Sequence, residues 1–80
     1  MWSYRIQAHN GIAILYNGQV YSGFVGSPSV PPHENFRRSL AFLFDLGHSM
    51  LTEDGPGPID SAYIRAITDA INHLIAGLSA

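Results

Sequence analysis

Apolar and polar residues alternate at the start of the chain, where the apolar positions are Trp2, Tyr4, Ile6 and Ala8. A period of two predicts a half-buried strand. Two further short segments rich in β-branched and aromatic residues, 12–16 and 19–25, predict a second and a third strand. Asn-Gly pairs at 10–11 and 17–18 separate these segments, and Asn-Gly favours two-residue hairpin turns because both residues take a positive φ. The pattern therefore predicts a three-stranded antiparallel meander over residues 2–25.

The two turns determine which side chains share a face of this sheet. Two-residue turns would pair Leu15 with Val20 and with Ile6. The expected core face then carries Trp2, Tyr4, Ile6, Ala8, Ala13, Leu15, Val20 and Phe24. The opposite face carries Arg5, Gln7, His9, Ile12, Ile14, Tyr16, Gln19 and Tyr21, and it is too apolar for an ordinary solvent face. A three-residue loop at either turn would exchange the faces of one strand and remove this outer patch.

A proline-rich segment at 27–32 predicts an extended crossover from the sheet to a first helix at about 33–52. One narrow arc of that helix contains Phe36, Leu40, Leu43, Phe44, Gly47, Met50 and Leu51. We interpret Gly47 as a close helix-packing point, and the alternative is that the helix ends at Leu46. Phe42 lies off this arc and is a candidate contact for another subunit or partner.

A Gly/Pro loop at 54–58 separates this helix from a second one at about 60–79, with Asp60 or Ser61 near its N-cap. The apolar side of the second helix contains Ile64, Ile67, Ile71, Leu74, Ile75 and Leu78. The predicted fold class is α+β, with the order β-β-β-α-α and both helices packed on one face of the sheet. We expect residues 1–80 to form one small domain.

Composition adds an expectation about partners. The chain is 46% hydrophobic but only 12% charged, so we expect part of its surface to be apolar and covered by a partner. A chain of 80 residues can form only a small core, and without cysteine no disulfide can add to its stability. We therefore expect a homodimer. A net charge of −2 and the absence of lysine make nucleic acid an unfavourable partner. No signal-peptide pattern and no long apolar run occur, so we expect no membrane association and a cytoplasmic location.

Catalytic and metal signatures are weak. Asp45 with His48 and Asp69 with His73 have helical spacing, but two ligands do not specify a metal site, and a solvated helix surface is the favoured explanation. No cysteine nucleophile and no Gly-x-Ser-x-Gly elbow is present. We therefore predict no catalytic residue, no metal and no cofactor.

These observations favour a small non-catalytic protein-binding protein of the inhibitor or accessory type. The candidate partner-binding residues are Arg5, Ile12, Ile14, Tyr16, Tyr21, Arg37, Arg38 and Phe42. Phage-encoded inhibitors of bacterial defence complexes, including anti-CRISPR proteins, have this general size and type. No motif in the chain supports assignment to a family.

Two alternatives come from other functional classes. One is a nucleic-acid-binding module, in which Tyr16 and Tyr21 stack on bases while Arg5 and Arg37 contact phosphate. The other is a small enzyme or ligand-binding subunit with a site between the sheet and the helices.

Overall fold

The computed structural model describes residues 1–49 and 57–78 and has the predicted α+β fold. Its elements are β1 (Trp2–Gln7), β2 (Gly11–Tyr16), β3 (Gln19–Phe24), α1 (Pro32–Ser49) and α2 (Ser61–Leu78). The strands form an antiparallel sheet in the order β1-β2-β3, and residues from both helices pack against the same face of β2. The predicted β-β-β-α-α order is confirmed.

The first hairpin differs from the prediction. A short 3₁₀ segment, Ala8–Asn10, joins β1 to β2, so the connection has three residues rather than two. His9 and Asn10 both lie in the left-handed region, with φ of 54° and 63°. Ile6 consequently pairs with Ile12 and not with Leu15. Because this shift is three positions, an odd number, it exchanges the faces of β1 relative to β2.

Hydrogen bonds to distant residues stabilise the Ala8–Asn10 connection. The Asn10 side-chain amide donates to the Pro32 carbonyl at 3.1 Å, and the Ser39 hydroxyl donates to the Asn10 carbonyl. On the other side, the Gly26 backbone N–H donates to the Ala8 carbonyl at 3.1 Å. These contacts attach the connection to α1 and to the crossover, which explains why local Asn-Gly preference does not decide its conformation.

The second hairpin has the predicted turn. Asn17 and Gly18 take φ of 52° and 83°, and Leu15 pairs with Val20 as expected. One position further, Ile14 pairs with Ser22, so the strand has an irregularity that leaves Tyr21 as an extra residue.

The exchanged register determines the composition of the core. Ile12 and Ile14 have no exposed surface and pack with Trp2 on the helix-facing side of the sheet. The prediction that Ile12 and Ile14 lie on an outer face is therefore wrong. The helices contribute the buried residues Leu43, Leu46, Tyr63, Ala66, Ile67, Ala70 and Leu74.

Trp2 links the sheet to the start of α2. Its ring lies 4.5 Å from the Tyr63 ring and 4.9 Å from the Tyr16 ring, measured between centroids. Its indole N–H donates to the Pro58 carbonyl at 2.7 Å. This geometry satisfies the polar atom of a buried indole ring.

The two helices run antiparallel to each other. At one end, the Tyr63 hydroxyl donates to the Leu46 carbonyl at 3.4 Å. At the other end, Phe36, Leu74 and Gly77 line the same small cavity of about 180 Å³. The start of α2 therefore lies beside the end of α1.

The helix boundaries agree closely with the sequence pattern. α1 begins at Pro32, next to the expected His33, and α2 begins at Ser61. The Asp60 carboxylate caps α2 by accepting from the Ala62 backbone N–H at 3.1 Å. The expected end of helix one at 52, most of the expected loop at 54–58 and the expected last residue of helix two, 79, lie outside the described residues.

Gly47 lies within α1, as predicted, but it is not a close packing point. A Cβ placed on Gly47 would have nothing within 4 Å. The backbone freedom of this glycine therefore costs stability without a compensating contact.

We expect Gly47→Ala to raise the free energy of unfolding by about 0.5–1 kcal/mol, because alanine favours the helix and meets no obstacle here. Urea denaturation followed by circular dichroism measures this change. Gly26→Ala is the matched control, since its Cβ would overlap the His9 carbonyl, and it should be destabilising. A destabilised Gly47→Ala protein would contradict the packing described for α1.

Candidate functional site

The predicted partner-binding residues do not form one surface. Ile12 and Ile14 are fully buried in the core. Three others are partly buried and pack against that core: Tyr16, Tyr21 and Phe42. Only the three arginines, Arg5, Arg37 and Arg38, are exposed.

The sheet face opposite the helices differs from the predicted outer patch. It carries Arg5 from β1, Ala13 and Leu15 from β2, and Gly23 from β3. A Cβ placed on Gly23 would lie 3.3 Å from the Ala13 Cβ, so small residues meet at its centre. Ala13 and Leu15 are buried there but lie outside the main core cluster.

The two tyrosines proposed as base-stacking residues lie on the other side of the sheet. The rings of Tyr16 and Tyr21 both contact Trp2, at centroid distances of 4.9 Å and 5.4 Å. Arg5 therefore does not share a face with them. The structure separates the residues on which the nucleic-acid alternative depends.

Arg37 and Arg38 share one carboxylate at the start of α1. Glu34 accepts hydrogen bonds from Arg37 Nη2 at 2.6 Å and Nε at 3.0 Å, and from Arg38 Nε at 3.3 Å. The Arg37 hydrogen bond is the main cause that lowers the pKa of Glu34 from 4.5 to about 2. The pair of arginines is thus partly neutralised and does not form a free basic patch.

The described histidines and acids do not assemble into a metal site. Among residues 1–49 and 57–78, no group of three or more histidine or acidic side chains is placed to hold an ion. His73 instead forms a hydrogen bond through Nδ1 to the Tyr4 hydroxyl at 3.0 Å.

Three of the large apolar side chains that the structure exposes lie on the helices. Phe44, Ile64 and Ile75 expose 62%, 54% and 48% of their surface. Ile64, Ile71 and Ile75 share one side of α2, because they are seven and four residues apart. Since α1 and α2 are antiparallel, Phe44 and Ile64 lie toward the same end of the helix pair. We call Phe44, Ile64, Ile71 and Ile75 the outer helix face.

The sequence pattern assigned these residues to the core. The side of α2 that is buried contains small residues as well as large ones: Tyr63, Ala66, Ile67, Ala70 and Leu74. Including Ala66 and Ala70 in the apolar side moves its centre away from Ile64 and Ile75. Counting these two alanines as apolar would therefore have indicated from the sequence that Ile64 and Ile75 are exposed.

Comparison with family models, with curated proteins and with solved structures found no match to this chain. Within the part of the chain that the structure describes, neither helix is apolar enough over its length to cross a bilayer.

Lowering the pH should remove the contribution of Glu34 to stability. Because its pKa is depressed in the folded chain, that contribution is fully present above about pH 4.5 and is lost as the pH falls through about 2. We expect Glu34→Gln to melt at a slightly lower temperature than the wild type at pH 7. The two melting temperatures should converge near pH 2.

Thermal melts followed by circular dichroism across this pH range make the comparison. Arg37→Gln removes the main hydrogen-bond donor and should show the same convergence. A difference that stays constant down to pH 2 would contradict this assignment.

Proposed function

We propose that this chain is a non-catalytic protein-binding domain of the inhibitor or accessory type, and that it acts as a homodimer formed through the outer helix face. The observation that supports this most directly is the exposure of Phe44, Ile64 and Ile75 on one helix layer. Large exposed apolar side chains grouped on one part of a surface are typical of protein interfaces.

The size of this layer suits a second copy of the chain. Each helix has 18 residues and is therefore about 27 Å long and about 10 Å across. Two such helices present roughly 500 Å² to a facing surface. Two copies would bury about 1,000 Å² in total, which is the lower limit for a specific interface.

A symmetric contact would use the same residues on both chains, since a two-fold axis brings one patch against its copy. The result is a layer of four helices between two sheets. An interface of this limited size should dissociate on dilution, so the dimer and the monomer exchange.

Three features support the proposed inhibitor or accessory class: the chain length, the low fraction of charged residues and these exposed apolar residues. Phage-encoded inhibitors of bacterial defence complexes, including anti-CRISPR proteins, are the class we propose for testing. Binding assays between the purified dimer and such complexes would address this part of the proposal.

Sedimentation velocity over a range of concentrations tests the dimer. We expect the wild type to shift from monomer to dimer as concentration rises, and Phe44→Glu to weaken the dimer by at least tenfold. A fully desolvated aromatic at an interface is worth about 2 kcal/mol, which corresponds to a larger factor than this.

Val25→Glu is the matched control, because Val25 is also 62% exposed but directly follows β3 and is not part of the outer helix face. It should leave the dimer unchanged. A wild type that stays monomeric at high concentration would overturn the proposed homodimer, as would equal effects of the two variants.

A further inference from the structure

β1 is a regular strand at an open edge of the sheet. The order β1-β2-β3 leaves β1 and β3 with one neighbour each. β3 carries the irregularity at Tyr21, whereas all six residues of β1 pair with β2 without a register shift. Irregular edges resist the addition of another strand, and regular edges accept it. β1 is therefore the better template for a further strand.

The hydrogen-bond pattern shows which groups of β1 face the open edge. The Asn17 backbone N–H donates to the Met1 carbonyl at 3.0 Å, so Met1 and Asn17 form a hydrogen-bonded pair. Antiparallel pairing alternates, so Ser3 and Arg5 also bond to β2. The N–H and carbonyl groups of Trp2, Tyr4 and Ile6 then point away from β2.

A groove of about 730 Å³ lies between this edge and α2. It is lined by Met1, by Trp2, Ser3 and Tyr4 of β1, and on the helix by Ser61, Ala62, Arg65, Ala66 and Asp69. Alternate side chains of a strand point to opposite faces, so three consecutive strand residues can line one groove only along the backbone edge. The groove is thus open to the outward N–H and carbonyl groups of β1.

Arg65 and Asp69 place one charge of each sign in the groove. They are one helical turn apart, which separates them by about 6 Å along the axis. In residues 1–49 and 57–78, neither side chain forms an ion pair or a side-chain hydrogen bond. Alternate residues on one face of a strand are about 6.8 Å apart, close to this separation.

The directions of β1 and α2 determine the order of the charges. The Trp2 side chain reaches Pro58, before α2 begins, and the Tyr4 hydroxyl reaches His73 near the end of α2. The two elements therefore run in the same direction. A strand added antiparallel to β1 would meet Asp69 before Arg65.

We propose that this edge and groove bind an extended peptide segment of another protein, which adds to the sheet as a fourth strand. The bound segment is antiparallel to β1. It carries a basic residue facing Asp69 and, two positions later, an acidic residue facing Arg65. Its backbone bonds to Trp2, Tyr4 and Ile6, while the two side chains select the sequence. This surface shares no residue with the outer helix face, so a result that contradicts one proposal leaves the other unaffected.

Titration of the ¹⁵N-labelled full chain with a synthetic peptide tests the proposal by NMR. The probe is the blocked peptide Thr-Val-Lys-Val-Glu-Val-Thr, in which lysine and glutamate share one face. We expect shift changes in residues 2–6 and 61–69, together with slower amide exchange at Tyr4 and Ile6. The same peptide with lysine and glutamate exchanged should bind about fivefold more weakly, the factor that corresponds to about 1 kcal/mol for a lost exposed ion pair.

Two variants separate charge recognition from strand addition. Asp69→Asn should weaken binding of the probe by about twofold to fivefold. The doubly reversed protein, Arg65→Glu with Asp69→Arg, should prefer the exchanged peptide. A probe that is N-methylated on the backbone groups facing β1 should lose binding completely, because methylation removes its donors. Phe44→Glu should bind the probe as the wild type does.

Three results would overturn the proposal. The first is the absence of shift changes at millimolar peptide. The second is equal binding of both charge orders together with equal binding of the N-methylated probe. The third is protection of Tyr4 and Ile6 amides that rises with protein concentration before any peptide is added, which would assign the edge to a second copy of the chain.

Discussion

The connection Ala8–Asn10 determines the rest of this fold, because its length sets the register between β1 and β2. Hydrogen bonds from Asn10 to Pro32, from Ser39 to Asn10 and from Gly26 to Ala8 hold it in a conformation with two consecutive positive φ values. With that conformation fixed, Ile12 and Ile14 face the helices and form the centre of the core. A connection one residue shorter would give the sheet a different inner face.

The contrast between the two hairpins shows what local sequence can decide. At 17–18 the turn is exposed, and Asn17 and Gly18 form the two-residue turn that Asn-Gly favours. At 10–11 the same dipeptide does not form a two-residue turn, because hydrogen bonds between residues 18 to 29 positions apart fix a longer connection. Fold class, element order and helix starts depend on periodicity and capping, so they could be predicted. The assignment of side chains to the two faces of the sheet depended on the length of one loop, so it could not be predicted.

The candidate site was affected most by this dependence. In the predicted set, Ile12 and Ile14 are buried in the core, and two of the three exposed arginines share Glu34. The outer helix face was hidden in the sequence because Phe44, Ile64 and Ile75 fit the apolar period of their helices as well as the buried residues do. Periodicity identifies an apolar side, but Ala66 and Ala70 decide where its buried centre lies. The open edge of β1 results from the order of the strands in the sheet and from the position of α2 beside it. Neither can be read from a single segment of the sequence.

Trp2 is the sole tryptophan of the chain, and its contacts join the first strand to residues near the start of the last helix. The sheet itself consists of neighbouring segments, so it can assemble by short loop closures. The environment of the indole, by contrast, is complete only when a loop of more than fifty residues has closed. Tryptophan fluorescence therefore reaches its native value only when the start of α2 docks on the sheet, which is a high-contact-order event, even though the Tyr16 and Tyr21 contacts form within the meander.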